Sequence, residues 1–153
     1  MNRRALIALS PAERREYIRV ATTIVLATSG KDGYPHAVAM WFVADDEGRI
    51  WMTTYRKSQK VVNIRRDPKV ALHVESGVTY DTLKGVLIRG AAELIEDEEI
   101  CLRTLVGIQE KMLGSLGDEA KEVMRQQARK RIVIRVTPRR TSSWDHAKLG
   151  GTY

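Results

Sequence analysis

Stretches of alternating apolar and polar residues recur along this chain and predict β-strands, with helical spacing confined to a few segments. Residues 21–28, Ala-Thr-Thr-Ile-Val-Leu-Ala-Thr, are β-branched and apolar. They run into Ser29-Gly30-Lys31-Asp32-Gly33, a strand followed by a turn. Residues 35–44 predict a second strand, Asp45-Asp46-Glu47-Gly48 a turn, and residues 49–53 a third strand, together an antiparallel meander with short links. Residues 69–75 and 84–95 read as the fourth and fifth strands around a loop at 76–82, with Gly90 as a bulge. A sixth strand spans residues 132–136 and is ended by Pro138.

Helix signals fill the gaps. Ser10, Pro11 and Glu13 supply a cap, a first-turn proline and a capping-box glutamate for a helix over about 11–19. Asp97 caps a helix to about Leu113, Gly114-Ser115-Leu116-Gly117 breaks it, and Asp118 begins another to about Lys130. Between the third and fourth strands, Val61 and Ile64 recur at helical spacing. That short helix stops at Asp67-Pro68, because the residue before a proline avoids the α region. Six strands with sparse helices imply a closed β-barrel, mainly β, in one domain over residues 1–153. The tail, 139–153, has no periodicity, yet Trp144 and Tyr153 are costly to leave in water.

At 153 residues the chain is long enough for a real core. Its net charge of +7 favours an anionic partner: nucleic acid, a phosphorylated cofactor or an acidic substrate. The basic residues are densest in two clusters, 56–66 and 125–140. In the second, Arg125, Arg129, Lys130 and Arg131 read as a solvated helix end favoured by the macrodipole. In the first, Arg56, Lys57, Ser58 and Lys60 stand at the start of a helix that directly follows a strand. Helix N-termini attract anions, so this cation-dense start reads as a phosphate site. Interleaved aromatics for base stacking are lacking, with Phe42 the single phenylalanine.

Other chemistries find little support. His36, His73 and His146 are scattered, without Cys or carboxylates at ligand spacing, and predict no metal site. There is no Rossmann fingerprint or Walker loop, and Ser58 and Ser76 lack evident His–Asp partners. The single Cys101 sits among apolar residues as a small buried side chain, which fits a reducing compartment. Residues 1–9 are too short in their apolar part for a signal peptide, and no run reaches membrane-spanning length. A soluble, cytoplasmic protein is expected.

Three blocks carry a family likeness: Arg56-Lys57-Ser58-x-Lys60-x-x-Asn63-Ile64-x-x-Asp67-Pro68 after a strand, Gly33-x-Pro35-His36-x-x-x-Met40-Trp41-Phe42 before it, and Gly85-x-Leu87-Ile88-x-Gly90-x-Ala92 after it. In this order they resemble the pyridoxamine-phosphate-oxidase-like split-barrel flavoproteins. The tail Ser143-Trp144-Asp145-His146-x-Lys148-Leu149 resembles the branch that uses the deazaflavin coenzyme F420. The resemblance implies a homodimer of six-stranded antiparallel split β-barrels with flanking helices, the cofactor lying in a groove at the subunit interface. It implies that Arg56, Lys57, Ser58 and Lys60 hold the cofactor phosphate, with Gln59 also among the cofactor-binding residues, while Met40 and Trp41, with Met52, Thr53 and Thr54, border the ring. Ser76, Gly77 and Val78 would reach it from the neighbouring subunit or the next loop, and Trp144, His146 and Lys148 would close over it. Of the two tryptophans that core packing could also explain, alternation favours Trp51 inside over Trp41.

Coenzyme F420 carries a longer anionic arm than FMN, and Arg139 and Arg140 suit the longer anion. The implied activity is hydride transfer from the reduced deazaflavin to an electron-poor acceptor such as a quinone, an unsaturated lactone or a tetrapyrrole. No catalytic side chain follows, although Lys57 or His36 could stabilise charge on the acceptor. Pyridoxal-phosphate synthesis is disfavoured, since the chain ends in Leu149-Gly150-Gly151-Thr152-Tyr153 without an arginine-rich substrate motif. The alternatives are an FMN-dependent reductase of the same fold, a non-catalytic cofactor-binding protein and a nucleic-acid binder.

Overall fold

The structure, a computed structural model, describes residues 3–151. Two helices, α1 (Arg3–Ile7) and α2 (Pro11–Val20), precede strands β1 (Thr23–Ser29), β2 (Pro35–Trp41), β3 (Val43–Ala44) and β4 (Ile50–Tyr55). Then come α3 (Gln59–Arg66), β5 (Lys69–Ser76), β6 (Lys84–Ile95), α4 (Glu98–Leu113), α5 (Asp118–Ala128) and β7 (Arg131–Asp145). The expected caps are in place. Ser10 and Glu13 form a reciprocal capping box at α2, and the Asp97 carboxylate accepts from the Ile100 N–H at 2.8 Å to open α4.

The strands form one antiparallel sheet in the order β2-β1-β5-β6-β7-β4-β3. Its two edge strands, β2 and β3, are neighbours in the chain with only Phe42 between them. The sheet therefore curls until its ends meet in one continuous stretch. The expected second strand, residues 35–44, is real but interrupted. Its β1 ladder ends at Thr23↔Trp41, its β4 ladder begins at Val43↔Trp51, and Phe42 belongs to neither because its ring turns into the core, 1% exposed. Hydrogen bonding thus gives seven strands instead of six in the same mainly β barrel.

Alternation sets the interior. Ile24, Leu26, Ile50, Met52, Leu72, Val74, Val86, Ile88, Ile134 and Val136 point inward, and Leu9 joins them, its N–H donating to Ser143 Oγ at 3.1 Å. Each such side chain contributes roughly 1.5–3 kcal/mol on leaving water. A second cluster lies outside the barrel, where Cys101, Leu102, Leu105, Met124 and Ala128 of α4 and α5 cover Val133 and the half-buried Trp51. Trp51 is thus more covered than Trp41, but beneath helices on the outer face of the sheet. Its indole N–H donates to Asp45 Oδ2 at 2.8 Å.

Two further expectations need correction. The last strand does not stop at Pro138 but continues to Asp145, so much of the aperiodic tail is strand. Register shifts between Arg89 and Gly90, leaving Arg139 without a partner while Gly90 faces Pro138 and Arg89 faces Arg140. The bulge lies where Gly90 predicted, with its extra residue on β7; a proline at a bulge costs no ladder bond. Gly90 is needed there because a Cβ would meet Thr137 O at 2.5 Å. Finally, the basic end of α5 is more than a solvated face: Arg125 pairs with Glu99 at 2.7 Å and Arg129 with Glu98 at 3.4 Å, tying α5 to the first turn of α4. Helix α1 was not anticipated.

Candidate functional site

The site is built around the start of α3. Strand β4 carries the chain outward to Tyr55, and Ser58 takes extended angles, φ −68° and ψ 152°, as the residue before the helix. Its hydroxyl does not cap the helix, and the first turn holds no acidic residue. Instead, Ser58 Oγ accepts from the buried Thr54 hydroxyl at 3.3 Å. Lys60 Nζ reaches back to donate to the same Thr54 oxygen at 3.1 Å. This ammonium is half-buried, and its burial holds its pKa below the ordinary lysine value. Lys60 has no carboxylate partner, and Lys57 stands exposed beside it with no ion pair among the described residues. The helix start combines unsatisfied N–H groups, a hydroxyl and two cations, a fit for a phosphate or similar anion.

A polar relay running from the surface into the core fixes α3 to the barrel. Gln59 Nε2 donates to Asn63 Oδ1 at 2.9 Å, and Asn63 Nδ2 donates to Thr28 Oγ1 at 3.0 Å. Asn63 is 0% exposed. Beside this relay lies a cavity of about 600 Å³ walled by the β1–β2 turn, His36, Gln59 and Asn63, with His36 Nδ1 buried and without a hydrogen-bond partner. Asn63 had stood out only as part of the block after β4. A polar residue between Val61 and Ile64 on a buried helix face was the signal for its anchoring role.

The remaining expected residues gather elsewhere. Arg56 is engaged outward, donating from Nε to Arg131 O at 3.1 Å and lying 4.0 Å from Glu96. Met40 points inward against the core, whereas Trp41 is 49% exposed on the outer face. The tail residues cluster around the other end of β5 and β6. Trp144 lies over Gly85, where a Cβ would approach its ring at 2.4 Å, and stacks on His73 with centroids 5.6 Å apart. The His146 ring meets Tyr80 edge-on at 4.5 Å. Ser76 Oγ is 2.8 Å from the Tyr17 hydroxyl, and Gly77 and Val78 lie exposed in the adjoining loop. Lys148 is committed to structure: its ammonium donates to Ala8 O at 3.0 Å and to Glu13 Oε2 at 2.8 Å.

The model of the pyridoxamine 5'-phosphate oxidase family matches residues 10–145. The chain belongs to that family. No curated protein matches its sequence. Among solved structures, a conserved hypothetical protein from Mycobacterium tuberculosis is 46% identical, with TM-score 0.90 over 97% of this chain and 92% of that one. An F420 reductase is 26% identical, with TM-score 0.68 over 84% of this chain and 94% of that one. A FAD-binding protein from Mesorhizobium loti, 17% identical with TM-score 0.64 over 89% of this chain and 94% of that one, shares the fold. Membership in the pyridoxamine 5'-phosphate oxidase family, with an F420 reductase and a FAD-binding protein among the similar structures, supports a flavin-like class of cofactor and oxidoreductase chemistry. In this family member no helix among the described residues is long and apolar enough to cross a membrane.

One feature of this oxidase-family chain governs any assembly of the site. The α3 start and the Trp144–His146 group sit at opposite ends of β5 and β6. Asn63 holds α3 to Thr28, which pairs with Val70, whereas Trp144 pairs with Gly85, opposite Glu75. A single chain does not bring the two groups together.

Proposed function

We propose that the protein is a coenzyme F420-dependent reductase that delivers hydride to an electron-poor small-molecule acceptor. The observation that carries this reading is the α3 start: uncapped, free of acid in its first turn, and carrying a half-buried lysine without a carboxylate. On this reading Lys60 and Lys57 neutralise the cofactor's phosphodiester, Ser58 donates its hydroxyl, and the helix N–H groups of the first turn complete the cradle. Thr54 keeps Lys60 aimed at the cradle, and the Gln59–Asn63–Thr28 relay keeps the helix from shifting. The bound deazaflavin supplies two-electron hydride chemistry, and the protein supplies position and electrostatics. The similarity to an F420 reductase supports the deazaflavin. FMN is the second reading, because a single phosphate would also satisfy the α3 start.

We further propose that the active form is a homodimer. The two candidate groups, separated in one chain, would meet if a second copy contributed its Trp144 end. The outer face of β2, β1 and β5 supports this, carrying Ala37, Ala39, Val25, Ala27 and Ala71, an apolar surface of which Val25, Ala37 and Ala39 are exposed. Oxidised coenzyme F420 and FMN titrated side by side, followed by fluorescence, test the assignment. Tight binding of the deazaflavin alone supports it, preference for FMN replaces it with the second reading, and binding of neither overturns both. Sedimentation of a monomer at micromolar concentration would remove the dimer.

A further inference from the structure

A cleft of about 700 Å³ lies between α1 and the outer face of the β6–β7 ladder, lined by Arg4, Arg14, Arg89, Arg140, Ser142 and Trp144 among others, and by no acidic residue. Arg89 and Arg140 face each other directly across that ladder. Directly opposed side chains on one face stand about 5 Å apart at Cβ, where like charges repel. The bulge at Arg139 lies immediately beside the pair, and bulges re-aim the side chains next to them. Elsewhere Arg65, Arg125, Arg129 and Arg135 each have a carboxylate within 3.4 Å. Arg14, Arg89 and Arg140 have no side-chain ion pair or hydrogen bond among the described residues. Three arginines without a carboxylate partner thus line one cleft whose walls carry no acidic residue to offset them.

We propose that this cleft is a second anion-binding site, separate from the α3 start, that takes a planar organic polycarboxylate. Guanidinium forks bind carboxylates two hydrogen bonds at a time, and an opposed Arg–Arg pair becomes favourable once an anion lies between its members. Trp144 at one end offers an indole against which a conjugated ring stacks, while Ser142 and Ser143 line the floor. As a binding site the cleft stands alone. Its role as the seat of a carboxylated hydride acceptor rests on the reductase reading above.

The test uses the full chain and benzene-1,2,4,5-tetracarboxylate as probe, titrated by calorimetry and by tryptophan fluorescence. Binding should weaken roughly tenfold or more for each guanidinium removed in Arg89→Gln and Arg140→Gln. The double variant should melt no lower than the parent, since it removes a repulsive pair. Lys60→Met should leave probe binding unchanged, and Arg89→Gln, which alters no residue expected at the cofactor, should leave coenzyme F420 affinity unchanged. Unaltered probe binding in the double variant overturns the site. Equal loss in Lys60→Met moves the anion to α3, and a parallel loss of F420 affinity makes the cleft part of the cofactor's own seat; either overturns the separation. Probe binding that persists in a protein binding neither cofactor would leave this site standing while the reductase reading fell.

Discussion

Replacing Lys60 by methionine separates a binding lysine from a structural one. The substitution keeps the apolar stem and removes the ammonium, which in the free protein makes one hydrogen bond, to Thr54 Oγ1 at 3.1 Å, and no ion pair. Loss of that bond is offset by relief of a charge held partly out of water, the same burial that depresses its pKa. The unliganded protein should therefore change stability by no more than about 1 kcal/mol. Binding should behave differently. A hydrogen bond from a charged donor to a phosphate contributes about 1.5–3 kcal/mol, so the cofactor Kd should rise roughly 10- to 150-fold. Proton linkage adds a second signature. Because the free-state pKa is lowered and an anion would raise it, the parent's affinity should fall as pH climbs through the depressed value, and the variant's should not. Cofactor titrations across pH, with urea unfolding of the unliganded protein, measure both. An unchanged Kd with a stability loss above 2 kcal/mol would show Lys60 to be structural and refute the reasoning.

Three other outcomes follow from the packing. Gly85→Val should destabilise the protein by about 1–3 kcal/mol and alter near-UV circular dichroism, because a Cβ at that position falls 2.4 Å from the Trp144 ring; an unperturbed spectrum would mean the indole does not lie there. Asn63→Leu should cost about 1–3 kcal/mol in urea unfolding by leaving the buried Thr28 hydroxyl without its amide donor and Gln59 without its acceptor; a neutral result would show the relay is dispensable. Glu13, held down to about 2 by Lys148 and the Ser10 cap, should contribute stability above its ordinary pKa of 4.5 and lose it as pH falls towards 2. Glu13→Gln should therefore flatten the acid limb of stability against pH, and an identical limb would show that the Lys148 tie carries no weight.

What the sequence revealed and concealed follows one physical division. Ser10 with Glu13, Asp97 and Asp67-Pro68 act on their own backbone within three or four residues, so local pattern located those helix ends. The α3 start was legible for the same reason, since the cations and the hydroxyl are contiguous. Pro138 misled because whether a strand can hold a proline depends on whether the opposing chain needs its N–H, a fact settled by β6 some fifty residues away. Arg56 and Lys148 illustrate the same blindness. Arg56 was expected at the phosphate and Lys148 over the cofactor; their contacts with Arg131 O and with Glu13 come from residues distant in sequence, which local pattern does not reveal. The opposed Arg89 and Arg140 could not be seen at all without the register.

The junction at Phe42 gives the barrel a mechanical asymmetry. Everywhere else around its circumference, opening means unzipping a ladder; between β2 and β3 no inter-strand bond has to break, because the two edges are joined by covalent backbone alone. Parting there is resisted by the burial of one aromatic ring, roughly 1.5–3 kcal/mol, by Lys111 of α4, whose ammonium lies 4.0 Å over that ring and donates to the Phe42 carbonyl at 3.3 Å, and by the packing of β2 on β4 and of α2 and α4 on β3. Helix α4 thus serves as a latch on the one seam of the cylinder that no ladder closes.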